Sequence, residues 1–205
     1  MAGPLSPLKA FIFLGLSLSL FTFAGPAHAI DDPDLKAAHQ EDKAGTTFSK
    51  SEVLEAANDF FGSTSAGLAA LIQKAFDEKG RPNAYIAGEE VAGAVVVGLR
   101  YGEGRLSTKS GVKRTLYWQG PSLGLDLGGN ASKTFVLIYN LQDPEDMYRR
   151  FGGVEGSLYV VGGFGLNYQT NKDITLAPIR TGVGLRAGAN VGWLKYTRES
   201  RWLPF

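Results

Sequence analysis

Carboxylates are the main side chains that could do chemistry in this 205-residue chain, because cysteine is absent and histidine occurs only twice. Glycoside cleavage needs two carboxyl groups roughly 5 to 10 Å apart in a cleft. Glu89 and Glu90 are adjacent and would face opposite ways on an extended strand. Solvated surface carboxylates are therefore the favoured interpretation of the candidates, which are Glu89, Glu90, Asp126, Glu155 and Asp173.

Other kinds of site are excluded or disfavoured by composition. The absence of cysteine excludes disulfides, thiol nucleophiles, cysteine zinc sites and cysteine lipidation. His28 lies in an apolar N-terminal segment and His39 in a polar one, so neither is positioned as the base of a serine triad, and a structural zinc site has too few ligands. We therefore predict no catalytic residue, no metal site, no cofactor and no enzymatic activity.

Nucleotide and nucleic-acid binding are also disfavoured. Gly182, Gly184 and Ala187 match a loose dinucleotide fingerprint, but that motif needs a strand that ends where a helix begins. Here a strand-like alternation continues through the match. The 21 basic residues nearly balance the 20 acidic ones, and binding to a phosphate backbone needs a clustered basic surface.

Residues 1–29 have the pattern of a cleavable secretory signal. Lys9 precedes an apolar run of about 15 residues, 10–24, and Ala27-His28-Ala29 is the small-x-small pattern that a signal peptidase reads. A retained membrane anchor is the alternative, but the run is shorter than the roughly 20 residues that span a bilayer. We predict cleavage after Ala29 and export.

A flexible lead, 30–47, is expected to precede a single domain, 48–205, that begins with two helices. Ser49 and Glu52 have the spacing of a capping box. Apolar residues then recur at helical spacing, and glycines stand where each helix would end. The predicted helices span about 49–61 and 64–79, and a further short helix capped by Asp143 spans about 143–151.

The period changes from 3.6 to 2 after Tyr85, which predicts strands. Ser132–Asn140 is apolar on both faces, as expected for a strand buried on each side. Glycines 182, 184, 188 and 192 share one face of the segment 181–197, which indicates a sharply coiled strand or a close approach of another backbone. The predicted strands are 91–101, 113–119, 123–127, 132–140, 158–169 and 181–197.

These elements predict a mainly β fold with N-terminal helices. The expected architecture is a small soluble β-barrel, or a strongly coiled antiparallel sheet, packed by two helices. Phe205 as the last residue is typical of outer-membrane barrels, but Glu199 and Arg201 would then face lipid and Pro204 would remove a ladder donor. The chain is therefore not expected to be an integral membrane protein.

Several segments resemble the envelope integrity protein A family of alphaproteobacteria. The resemblance covers residues 47–205, and its carriers are RPNAYIAGE (81–89), VGLRYGE (97–103), YWQGPSLG (117–124), FVLIYNL (135–141) and the strand 182–196. It implies an exported periplasmic protein, a small soluble β-barrel with accompanying helices, that supports the integrity of the Gram-negative envelope. It supplies no catalytic residue. Envelope components are the implied partners: lipid, lipopolysaccharide or peptidoglycan-associated factors.

A more distant resemblance is to the SYLF lipid-binding domain of membrane-remodelling proteins, in which Gly-Leu-Gly phrases precede a strand like FVLIYN. It motivates an alternative function, periplasmic binding of a lipid or glycolipid. The residues expected to bind that ligand are Tyr117, Trp118, Phe135, Phe164, Trp193 and Arg186.

Three hypotheses follow. A non-enzymatic envelope factor predicts a barrel filled by its own side chains. Lipid binding predicts an apolar cavity or an exposed apolar patch. A carboxylate hydrolase of envelope glycan, the least favoured, requires paired carboxyl groups in a cleft.

Overall fold

The computed structural model describes residues 45–63, 65–126, 131–182 and 192–201, without the side chains of 93–97 and 122–126. Within these ranges two α-helices precede a nine-stranded sheet. The helices are α1 (Lys50–Phe61) and α2 (Ala66–Lys79). The strands are β1 (Ala84–Thr108), β2 (Lys113–Asp126), β3 (Ser132–Tyr139), β4 (Arg150–Gly153), β5 (Tyr159–Val161), β6 (Phe164–Leu166), β7 (Gln169–Asn171), β8 (Ile174–Thr181) and β9 (Trp193–Thr197).

The start of α1 follows directly from two side chains. The Ser49 hydroxyl accepts a hydrogen bond from the backbone N–H of Glu52, and the Glu52 carboxylate accepts one from the backbone N–H of Ser49 at 2.7 Å. These two bonds satisfy donors that a helix N-terminus leaves without partners, and they confirm the predicted capping box. The helix ends at Gly62, whose φ of 79° is left-handed.

The sheet closes on itself. The first part of β1 pairs with β3, from Ala84 opposite Ile138 to Glu90 opposite Ser132, and its later part pairs with β2. From β2 the pairing continues through β9, β4 and β7 to β8, and β8 pairs back with β3. The fold is therefore a closed antiparallel barrel, as predicted, and the β5–β6 hairpin extends from β8 beside it.

Alternation along β3 separates two hydrophobic cores. Val136 and Ile138 face the barrel interior with Trp118 and Tyr196, while Phe135 and Leu137 face outward. The outward residues pack against α1 and α2, whose buried residues are Val53, Ala57, Leu68, Leu71, Ile72 and Ala75. The prediction that this strand is buried on both sides is confirmed, and the reason is that helices cover its outer face.

Glycine allows β1 to fold across the barrel interior. A Cβ atom on Gly88 would lie 2.6 Å from the Cα of Gly104, in the same strand, and 2.8 Å from the indole of Trp118. Real Cβ atoms do not approach other atoms so closely, so a larger residue would push the two backbones apart. Close backbone approach at glycine, which the sequence predicted for the segment 181–197, is thus observed at Gly88 and Gly104 of β1.

Several predicted elements differ in extent from the observed ones. The helix expected over 143–151 is a single 3₁₀ turn, Pro144–Met147, because Arg150 already pairs with Lys195 in the sheet. The strand expected over 158–169 is the β5–β6 hairpin followed by β7, because Gly162 and Gly163 have φ values of 57° and 82° and reverse the chain. The predicted strands 113–119 and 123–127 are one strand, β2.

Some predictions fall outside the described residues. These are the signal segment and most of the lead, residue Phe205, and the glycines 184 and 188 of the predicted strand 181–197. At the described start of that strand, Gly182 has a φ of 79°, which is not an extended conformation. None of the helices in the described ranges has the length and apolarity needed to cross a membrane.

Candidate functional site

Three charged side chains meet inside the barrel: Glu90 and Arg100 from β1, and Arg180 from β8. The Nε atom of Arg180 lies 3.0 Å from Oε1 of Glu90, and the Nε atom of Arg100 lies 3.2 Å from the same oxygen. The indole Nε1 of Trp118 donates to Oε2 of Glu90 at 2.8 Å. Both carboxylate oxygens are thus engaged in a residue that is only 3% exposed.

Neighbouring side chains satisfy some, but not all, of the hydrogen-bonding groups of Arg180. Arg180 donates from Nη1 to the side-chain oxygen of Asn167 at 2.7 Å. Among the described residues, its Nη2 atom and the hydroxyl of its register partner Thr134 have no hydrogen-bond partner. Buried polar groups are normally satisfied, so these two atoms are exceptions within the interior.

The electrostatics of the cluster keep Glu90 ionised. Burial alone would raise the pKa of Glu90, but Arg100, Arg180 and the Trp118 hydrogen bond outweigh it and lower the pKa below the ordinary value. A general acid of a glycosidase needs the opposite, a raised pKa. The arrangement therefore has the chemistry of an internal ion pair that ties β1 to β8, and does not have that of a proton donor.

The other predicted carboxylates do not join Glu90. Glu89 points to the outer face of β1 and is exposed, which confirms that the two neighbours face opposite ways. Glu155 and Asp173 are also exposed, and the side chain of Asp126 lies outside the described residues. Within the described ranges no group of three His, Asp or Glu residues could hold a metal ion.

The residues predicted to bind a lipid are spread over the wall of the barrel. Trp118 lies inside, whereas Phe135 and Phe164 lie on the outside in the layer beneath the helices. Trp193 is half-buried beneath the guanidinium of Arg150, 4.5 Å from its ring centroid. Tyr117 is half-buried on β2, opposite Thr197, and Arg186 lies outside the described residues. Trp118 and Phe135 therefore do not line a common cavity.

An open groove of about 580 Å³ lies between α1 and the outer face of β1 and β2. One wall is acidic: Glu52, Glu55 and Asp59 recur at the three- and four-residue spacing that aligns side chains along a helix. The opposite wall is basic and consists of Arg105 and Lys113. Between the walls lie Ala56, Phe60, Tyr85, Ala87 and Ser107.

Both ends of α1 are fixed to the sheet beside this groove. At the N-terminal end, Nζ of Lys109 lies 2.5 Å from Oε1 of Glu52, and this ion pair together with the Ser49 hydrogen bonds lowers the pKa of Glu52 to about 2. At the C-terminal end, Nζ of Lys133 donates to the Phe60 carbonyl at 2.8 Å. These two contacts hold α1 beside the sheet at both ends of the groove.

Sequence reasoning missed both the interior cluster and the groove. The sequence did contain a pattern that indicates the cluster. Arg180 is an even number of residues from Ile174 and Leu176, so all three side chains lie on the same, buried face of β8. A charged residue at an inward position predicts a buried ion pair. No comparable signal existed for the groove, which joins residues of α1 to residues of two strands, β1 and β2.

The fold and its surfaces define a small antiparallel β-barrel protein with two helices packed on its outer face. A crystal structure of a β-barrel-like, uncharacterised protein from Brucella abortus has the same fold: it is 49% identical in sequence, with a TM-score of 0.71. The similarity covers 78% of this chain and 99% of that one. A comparison with curated protein sequences found no match.

The family model for envelope integrity protein A matches residues 46–205. The chain therefore belongs to the envelope integrity protein A family, as its sequence motifs indicated.

Proposed function

We propose that this protein is a non-enzymatic periplasmic factor that supports the integrity of a Gram-negative cell envelope by binding an envelope component on its outer surface. The observation that carries the proposal is that large buried side chains occupy the part of the barrel interior that the structure describes. Trp118, Tyr196 and Phe151 are fully buried there, and Gly88 and Gly104 bring two backbone segments into contact. Close packing of these side chains favours external contacts over an internal ligand.

The family and the N-terminal sequence support the cellular part of the proposal. Membership of the envelope integrity protein A family supports a role in the envelope. The signal-like pattern over residues 1–29 supports export to the periplasm.

A deletion of the gene in its own bacterium tests this function. We expect the deletion strain to be more sensitive than its parent to detergent and to EDTA, and the full chain to restore resistance. A chain that lacks residues 2–29 but is produced at the same level should not restore it. A deletion strain as resistant as its parent, or rescue by the shortened chain, would show that the proposal is wrong.

Contact with lipid is a second candidate, favoured by one feature of the β5–β6 hairpin. Val160 and Val161, next to its turn, are 42% and 43% exposed, so the hairpin presents two apolar side chains to solvent. Native mass spectrometry of the protein purified from its own periplasm tests this alternative. A copurifying lipid that is lost in a Val160→Ser, Val161→Ser variant would support it, and the absence of any lipid would exclude stable lipid carriage.

A further inference from the structure

The groove beside α1 carries opposite charges on facing walls. Glu55 and Asp59 lie four positions apart on one face of α1. Lys113 is opposite Ser107 in the β1–β2 ladder, so Arg105 and Lys113 are diagonal neighbours on the same face of the sheet. Each wall thus presents two like charges.

These four charges do not neutralise one another. In the part of the chain that the structure describes, Glu55, Asp59, Arg105 and Lys113 make no ion pair and no side-chain hydrogen bond. By contrast, Glu52 and Lys109 at the end of the groove do pair. The contacts of Glu52 and Phe60 with Lys109 and Lys133 hold the two ends of α1 beside the sheet, and the four charges between those ends are left without ion-pair partners among the described residues.

We propose that this groove binds a short zwitterionic peptide, with its ammonium group against Glu55 and Asp59 and its carboxylate against Arg105 and Lys113. Such a ligand matches both walls, whereas a polyanion would be repelled by the acidic wall and a polycation by the basic one. The groove volume of about 580 Å³ lies within the range of small-ligand sites, roughly 300 to 1,000 Å³. Phe60 and Tyr85 offer apolar surface to the peptide between its charged groups.

The inference rests on the proposed function, because it names the class of envelope component that is bound. A short envelope peptide with free amino and carboxyl groups would be a component of this class. Such a peptide has the chemistry that the groove selects.

Titration of the protein with the peptide Ala-Glu-Lys-Ala, free at both termini, tests the inference. With isotope-labelled protein, we expect amide NMR shifts confined to α1, the start of β2 and the neighbouring part of β1. The same peptide with acetylated amines should bind more weakly by about threefold to tenfold, as expected for loss of exposed charge pairs. Binding should also weaken as salt is raised.

Paired variants separate the two walls. The double variant Glu55→Gln, Asp59→Asn should weaken binding by about threefold to tenfold, and so should Arg105→Gln, Lys113→Gln. Matched controls remove the same charges elsewhere on the exposed surface: Glu155→Gln, Asp173→Asn for the acidic wall and Lys172→Gln, Arg201→Gln for the basic wall. The controls should bind the peptide as the natural protein does.

Three results would overturn the inference: no shift at saturating peptide, equal binding of the acetylated peptide, or a change of oligomeric state in the groove variants instead of a change in affinity. The last result would assign the groove to a second copy of the chain. If the peptide fails to bind while the deletion strain is still sensitive to detergent, the inference is wrong and the proposed function stands. If the deletion strain is fully resistant, the proposed function itself is wrong.

Discussion

The indole nitrogen of Trp118 donates a 2.8 Å hydrogen bond to Oε2 of Glu90, which lies 28 residues earlier in the chain. Trp118 also covers Gly102, its register partner on β1, so closely that a Cβ atom there would overlap the indole ring. The Trp118 side chain therefore contacts both Glu90 of the interior ion pair and Gly102 of β1. The stability of the barrel should depend on both contacts.

Neutralising Glu90 should destabilise the fold strongly. In a Glu90→Gln variant the guanidinium of Arg180 would remain buried without its counter-charge, and breaking a buried pair in this way costs about 3 to 5 kcal/mol. The free energy of unfolding can be measured by denaturant titration. Glu89→Gln, on the exposed outer face, is the matched control and should change that free energy by less than about 0.5 kcal/mol. Similar losses for the two variants would contradict an interior ion pair.

A methyl group at Gly102 should conflict with Trp118. Gly102→Ala is expected to lower the free energy of unfolding by about 1 to 3 kcal/mol, the usual cost of overpacking. The same substitution should cost less in a Trp118→Leu background, since the indole is the obstacle. Gly152→Ala, where a Cβ atom would meet nothing within 4 Å, is the control and should be tolerated. Equal costs of Gly102→Ala in both backgrounds would show that the indole is not the obstacle.

Phe135 should stabilise the helix layer. It is fully buried beneath the helices and stacks on Tyr85, with ring centroids 5.1 Å apart. Phe135→Ala should cost about 3 to 5 kcal/mol and should speed hydrogen exchange of α1 and α2 more than that of β9. The exposed Val160→Ala is the comparison, with an expected effect below about 0.5 kcal/mol. Uniform acceleration of exchange throughout the protein would argue against a separate helix layer.

The Glu52–Lys109 ion pair should make stability depend on pH. The pKa of Glu52 is about 2 in the folded protein, below its ordinary value of 4.5. Its contribution is therefore complete above about pH 4.5 and is lost as the pH falls towards 2. Because the side chain is 43% exposed, the expected loss in Glu52→Gln is only about 0.5 to 1 kcal/mol at pH 7.

Denaturant titrations of the natural protein and Glu52→Gln at pH 7 and pH 2 measure this dependence. The two free energies of unfolding should approach each other at pH 2, because about half of the Glu52 carboxyl groups of the folded natural protein are then protonated. Glutamine keeps the hydrogen bond to Ser49, so the difference at pH 7 reports the charge alone. A constant difference across this range would exclude the ion pair as its source.

Local sequence patterns were sufficient for the parts of the fold that depend on neighbouring residues. Ser49 and Glu52 predicted the start of α1, because a capping box is completed within one helical turn. The doubly apolar strand around Phe135 predicted burial on both faces. Patterns failed where pairing partners decided the conformation: Arg150 belongs to a strand because Lys195 lies opposite, and no local signal showed this.

The sequence by itself determined that the chain lacks thiol chemistry, begins with a signal-like segment, and folds from two amphipathic helices and a glycine-rich sheet. These features depend on amino-acid composition and on the spacing of apolar residues within short segments, so the sequence alone is enough to identify them. Only the tertiary structure decided that Glu90 meets Arg180, 90 residues away, and that Glu55 faces Arg105 across an open groove. Such contacts depend on the register and closure of the barrel, which arise from many strand pairings together.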